Sequence, residues 1–244
     1  MVPVDRREEL ARRLDAVRKR IDAACVAASR DPLSVELLAI TKTIPPEDVA
    51  TLLDLGLTAF GENRVQEAEA KVAAVAALRP DADPRWHLVG TLQRNKARSV
   101  VRWAHRVESV DSIRLADALD AAVRREQETG WRTDRLPVLL QYSVDGDPRR
   151  GGVARDGLGR LAEHVASCAG LQLAGLMAVA PLGADPNVAF ADVAAAAAWL
   201  REQFPQATVL SAGMSGDLEA AISHGSGLVR VGTALVGERR LTSR

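Results

Sequence analysis

Three stretches of the sequence combine residue types suited to chemistry. The stretch "ELLAITKTIPPEDVA" (36–50) runs from apolar residues into Thr41-Lys42, ahead of Thr43, Ile44 and two prolines. An ammonium group partly withdrawn from water loses basicity, and its amine becomes a usable nucleophile towards a carbonyl carbon. The stretch "LSAGMSGDLEAAI" (210–222) passes through small residues into a helix-like segment with Asp217 and Glu219 early. Ser211 and Ser215 offer hydroxyls, Gly213 and Gly216 permit close backbone approach, and helix N–H groups favour an anion. "RVGTALVG" (230–237) supplies a second such turn at Gly232 and Thr233. Arg230 stands between Val229 and Val231, where a guanidinium needs a partner. Each has a plainer reading: a snorkelling lysine at a strand end, ordinary Ser/Gly helix caps, and an arginine paired with a core carboxylate.

Positioning these residues requires a scaffold, and the periodicity of the chain describes one. Asp5–Ser29 carries Leu10, Leu14, Val17, Ile21 and Ala24 at helical spacing. Eight strand-like runs follow, at 35–41, 57–62, 86–90, 106–110, 136–144, 171–180, 207–214 and 227–237, with helix-like segments between them. This alternation predicts an α/β fold: a parallel (β/α)₈ TIM barrel with an extra N-terminal helix, or alternatively a doubly wound sheet. In a barrel, function collects at the C-terminal strand ends, and the loops after strands seven and eight often hold phosphate. Lys42 ends the first strand, and the two Ser/Gly turns follow the last two. An amine facing a phosphate cradle suits a phosphorylated aldehyde, and pyridoxal 5′-phosphate (PLP) is one that binds proteins in this way.

Composition bounds the rest. The 244 residues carry 32 Lys plus Arg against 32 Asp plus Glu, so no net charge draws the chain to nucleic acid or acidic membranes. The N-terminus is charged from Asp5 onward and does not read as a signal peptide. No run approaches the about 18 apolar residues of a membrane span, which points to the cytoplasm. Cys25 and Cys168 read as buried free thiols, and the histidines lack metal-ligand spacing. The expected organisation is one domain over 1–244, with a leading helix at 1–30 and the barrel at 35–237.

The motifs "LLAITKTIPPEDV", "FGENRVQEAEAK", "WHLVGTLQRNK", "ESVDS", "GLMAVAP" and "LSAGMSGDLEAAI…GLVRVGTALVGER" resemble the PLP homeostasis protein family, also called the YggS or PROSC family. The resemblance extends from about residue 7 to 240. It implies a barrel similar to the N-terminal domain of alanine racemase, and a role in carrying PLP and balancing vitamin B6 without a dedicated reaction. By motif, Lys42 would form a Schiff base, Asn63 and His87 would line the pocket, and Met177 would lie close to it. Ser211, Ser215 and Gly232-Thr233 would hold the phosphate, and Arg230 would face the pyridine nitrogen. Strand five departs from the usual family pattern at Gln141-Tyr142-Ser143, as do Arg149-Arg150-Gly151-Gly152 and Ala212. A PLP-dependent amino-acid racemase is the alternative, and a sugar-phosphate barrel enzyme with an aldolase-like Lys42 a third reading. Racemisation needs a second acid/base. Tyr142, the only tyrosine, is a candidate, although a half-buried strand tyrosine is the plainer reading. Only "ERRLTSR" follows residue 237, which suggests that a racemase-like second domain is missing and that the chain is a monomer. PLP-requiring apo-enzymes are candidate partners.

Overall fold

The computed structural model describes residues 4–237. Eight parallel strands close into a barrel in chain order. They are β1 (Glu36–Ile40), β2 (Ala59–Glu62), β3 (Arg85–Leu88), β4 (Arg106–Val110), β5 (Leu136–Tyr142), β6 (Leu171–Ala178), β7 (Val209–Ser211) and β8 (Leu228–Val231). β8 returns to β1 with Leu38 opposite Arg230. The helices are α1 (Val4–Ala27), α2 (Pro46–Asp54), α3 (Val65–Leu78), α4 (Ala97–Val100), α5 (Ile113–Glu128), α6 (Arg155–Ser167), α7 (Pro186–Gln203), α8 (Leu218–Ser223) and α9 (Thr233–Val236). The barrel therefore replaces the doubly wound alternative. The tail 238–244, on which the missing second domain was argued, lies outside the described residues.

Side chains alternate across each strand, so each strand has an outer and an inner set. The outer set (Leu37, Phe60, Leu88, Val107, Val138, Val229) joins the helix residues Leu14, Val49, Leu119 and Phe190 in one continuous core. Burial on both faces explains why the strands read as nearly unbroken apolar runs. The inner set forms two small apolar plugs, Leu38, Ile40, Ala59 and Leu228 on one side and Leu139, Ala174 and Met177 on the other. His87, Glu108, Ser211 and Arg230 have the same inward parity and are all buried.

α1 braces the seam where the barrel closes. Leu10, Leu14, Val17 and Ile21 are buried at the expected helical spacing. Arg6 donates to Asp48 of α2 at 2.6 Å and to the Val236 carbonyl at 3.1 Å. Arg20 reaches Glu219 and the Ser215 carbonyl, tying α1 to the turn after β7.

The run 227–237 is not one strand. β8 ends at Val231, and the Gly232 carbonyl accepts from Leu235 and Val236 N–H at 2.8 and 2.9 Å, starting a helical turn. The run 207–214 likewise keeps only three residues as strand, because Gly213 turns the chain at φ 91°. Cys25 and Cys168 are buried free thiols. Among the described residues, no helix is long and apolar enough to cross a membrane.

At Gly175 β6 and β7 leave no room for a side chain: a Cβ there would lie 1.9 Å from the Val209 carbonyl oxygen, and its φ is 152°. Gly175→Ala is therefore expected to cost about 3 kcal/mol or more through overpacking, measured as a lowered midpoint in urea unfolding.

Candidate functional site

The polar residues on the inner face form one connected network. Glu108, at the middle of β4, is fully buried. His87 Nδ1–H donates to its Oε1 at 2.7 Å, and Ser211 Oγ–H donates to its Oε2 at 2.6 Å. Arg230 donates through Nη1 to the carbonyl and hydroxyl oxygens of Ser211, both at 2.7 Å, and through Nη2 to the Ala178 carbonyl at 2.7 Å. Burial pushes the Glu108 carboxyl up, but His87, Arg230 and Ser211 outweigh it and hold the group below its ordinary range. Burial lowers the Arg230 guanidinium, opposed by the charges of Glu108 and Asp217.

Lys42 is not at the end of a buried strand. β1 stops at Ile40, and Lys42 is exposed in the turn that follows. The expected desolvation of its ammonium is therefore not what the fold provides. Its place is nevertheless at the C-terminal rim of the barrel, two residues beyond the inward-facing Ile40. Gly232, just past the end of the neighbouring β8, packs on Ile40: a Cβ on Gly232 would sit 3.5 Å from Ile40 Cβ. Thr233 is exposed and Ser215 half-buried at the ends of the neighbouring turns. Asn63 follows β2 at the same rim, its carbonyl packed so closely on Gly90 that a Cβ there would clash at 2.2 Å. Met177 is buried in the inner plug beside Leu139.

A family model described as "Alanine racemase, N-terminal domain" matches residues 13–240. The chain belongs to that family. Within it, the "Pyridoxal phosphate homeostasis protein" of Mycobacterium tuberculosis is 48% identical over 248 residues, covering 98% of this chain and 96% of the relative. PipY of Synechococcus elongatus, solved with PLP bound, is 36% identical with a TM-score of 0.76, covering 93% of this chain and 100% of PipY. The alanine racemase of Corynebacterium glutamicum shares the fold, with a TM-score of 0.66 at 14% identity, over 95% of this chain and 62% of the racemase. The chain thus also belongs to the PLP homeostasis protein family.

Of the residues in that family's motifs, His87, Met177 and Arg230 are buried inside the barrel, and Lys42, Asn63 and Gly232 lie in the turns just past β1, β2 and β8. Ser211 differs from its expected role. It is fully buried, and its hydroxyl proton goes to Glu108, so it serves the interior network and not a phosphate at the rim. The Met214 N–H in the same turn is taken by Asp217 Oδ1 at 2.5 Å, and α8 has only six residues. Tyr142 is buried, not half-buried, and shares the outer face with Val138 and Leu140. Its hydroxyl donates to Asp192 of α7 at 2.7 Å, away from the barrel interior. In the basic stretch 94–102, Arg98 and Arg102 both donate to Glu126 of α5, which makes part of it an inter-helix seam. Sequence reading missed Glu108. Its signal was a lone acid inside "RVESV", the mirror image of Arg230 inside "LVRV".

Replacing Glu108 with Gln leaves the buried Arg230 without its counter-charge. The expected loss is about 3–5 kcal/mol at neutral pH, read from urea unfolding. Because the folded carboxyl is held below its usual value of 4.5, this stabilisation is full above that pH. It is lost as pH falls through the lower folded value, so the gap between wild type and Glu108→Gln closes in acid.

Proposed function

We propose that this protein binds PLP at the barrel mouth, with Lys42 as the attachment amine, and that it carries and balances the cofactor without a dedicated reaction. The observation that carries the reading is an inward-facing, buried guanidinium on β8 with donors to spare, beside a strand, β1, whose C-terminal turn carries a free primary amine. Lys42 has no hydrogen-bonding or ionic partner among the described residues. Arg230 uses three of its five N–H donors on Ser211 and Ala178, which leaves two for a ligand acceptor.

When bound, PLP supplies an aldehyde that condenses with a primary amine and a pyridine ring that withdraws electrons when its nitrogen is protonated. Arg230 is suited to donate a hydrogen bond to that nitrogen. A guanidinium does not give up its proton at neutral pH, so it leaves the ring a weak electron sink. Ser215 and the backbone at Gly232-Thr233 are suited to the phosphate, while Asn63, His87 and Met177 line the pocket. PLP-bound PipY and the PLP homeostasis relatives support this assignment by similarity over the full chain. We extend it to a one-domain monomer over 1–244 that works in the cytoplasm and supplies PLP-requiring apo-enzymes. The two unpaired buried thiols fit a reducing compartment.

Purified protein mixed with PLP is expected to develop a near-visible absorbance band that borohydride reduction fixes to the peptide containing Lys42. Lys42→Ala is expected to lose both the band and the reducible adduct. A wild-type chain with no band after cofactor addition refutes the assignment. Steady-state amino-acid racemisation at ordinary enzyme rates, lost with Lys42→Ala, would replace the carrier reading with the enzymatic one.

A further inference from the structure

We propose that Lys71, acting through Thr41, is a positioning residue for Lys42, an inference that rests on the PLP reading above. Lys71 belongs to α3, on the outer side of the barrel, and does not enter the inner face. It is buried with its ammonium 2.6 Å from Glu62 Oε1 and 2.5 Å from the carbonyl oxygen of Thr41. Thr41 Oγ1 donates to the same carboxylate oxygen at 2.7 Å. Thr41 N–H continues the β1–β2 ladder to the Gly61 carbonyl at 3.0 Å. All three polar groups of Thr41 are therefore held, two of them by a buried ion pair. A buried Lys–Glu pair is not needed to fill this space, since apolar residues of similar volume fill such sites as well or better. It is explained by what it grips.

What it grips is the first residue of the turn that presents Lys42. Ile44 N–H donates to the same Thr41 carbonyl at 3.3 Å, closing a four-residue turn over Thr41, Lys42, Thr43 and Ile44. Thr43, third in that turn, has φ 74°, whereas Lys42 has no positive φ. This is the pattern of a type II turn, whose third position normally calls for Gly or Asn. A β-branched residue there is strained, and strain persists only where the surroundings over-determine it. The Lys71–Glu62 pair supplies that over-determination on one side, and Pro45 and Pro46 stiffen the chain on the other. Left unbraced, Thr43 relaxes towards negative φ and swings the Lys42 side chain off the inner rim.

The test uses the full chain and two variants. Lys71→Met alone leaves Glu62 buried without its partner. The double variant Glu62→Gln/Lys71→Met removes both charges and is the safer folder. Two readouts are followed: amide hydrogen exchange at Ile44 in the apo chain, and the rate at which PLP forms a borohydride-reducible adduct at Lys42. In the double variant, exchange at Ile44 is expected to rise while amides of β5 keep their protection. The adduct rate is expected to fall about tenfold or more, as misplacement of a reacting group by about 1 Å commonly does. A merely structural role predicts a lower unfolding midpoint with both readouts at their wild-type values, and that result overturns the proposal. A change in one readout without the other also overturns it, since Thr41 is then not the link. A wild-type chain that forms no Lys42 adduct overturns the PLP reading instead, and exchange at Ile44 then decides the brace by itself.

Discussion

A carboxylate sealed inside a barrel is tolerable only when each oxygen meets a donor and a compensating charge lies near. Several kcal/mol of desolvation stand against every such ion. Glu108 meets the condition with His87 on one oxygen and Ser211 on the other, and with Arg230 behind Ser211. The network draws one residue each from β3, β4, β7 and β8, and the Ala178 carbonyl adds β6. Five of the eight strands are thereby committed to one register. A slip of one residue in β3, β4, β7 or β8 would turn its polar side chain outward into the apolar layer under the helices. The same slip would leave the remaining members unpaired. The interior polar cluster therefore specifies the alignment of the barrel more sharply than the apolar plugs, which accept shape-conserving exchanges.

A second buried carboxylate, Glu62, lies on the opposite face of the sheet. Glu108 organises the inside of the barrel, and Glu62 with Lys71 organises the outside of its rim, beneath the Lys42 turn. Between them the two clusters determine both ends of the proposed site: the guanidinium at its floor and the amine at its edge. The neutrality of the chain hides this arrangement. Its charges are not spread evenly, and among the few that are buried each lies close to an opposite one or to several dipoles.

Much of the fold was legible because eight apolar runs with intervening helical periodicity admit few architectures. Arg230 was legible as an anomaly, since a guanidinium between two valines has to be explained. Glu108 carried a weaker signal, a carboxylate between Val107 and Ser109 in the middle of a short strand, and escaped because the serine beside it makes the run read as partly polar. Other features were beyond the sequence for physical reasons. Whether Lys42 is withdrawn from water depends on where β1 stops, and propensity does not resolve a boundary of two residues. Ser211 and Ser215 are chemically alike and four residues apart. Only the register of β7 sends one inward to Glu108 and leaves the other at the rim. The Lys71–Glu62 pair, nine residues apart across a turn and a helix, is a tertiary contact with no local pattern. The positive φ of Thr43 contradicts local propensity outright, as backbone held by its surroundings does.

The direction of Tyr142 bears on what this barrel can do. Racemisation on a PLP scaffold requires proton-handling groups on opposite faces of the reacting carbon. On the proposed reading, Lys42 is one candidate. Tyr142 follows Leu140 and Val138 on the outer face, and its hydroxyl is already given to Asp192. Bringing it inward requires a one-residue slip of β5, which would at once expel Leu139 from the inner plug. His87, the inward-facing imidazole, has one ring nitrogen committed to Glu108. Asp217, at the turn beside the proposed phosphate cradle, is spent on the Met214 N–H. The acids and bases nearest the mouth thus hold the scaffold in shape. On the proposed reading, in which one lysine holds a reactive aldehyde beside a guanidinium that does not protonate its ring, no second proton-handling group is needed.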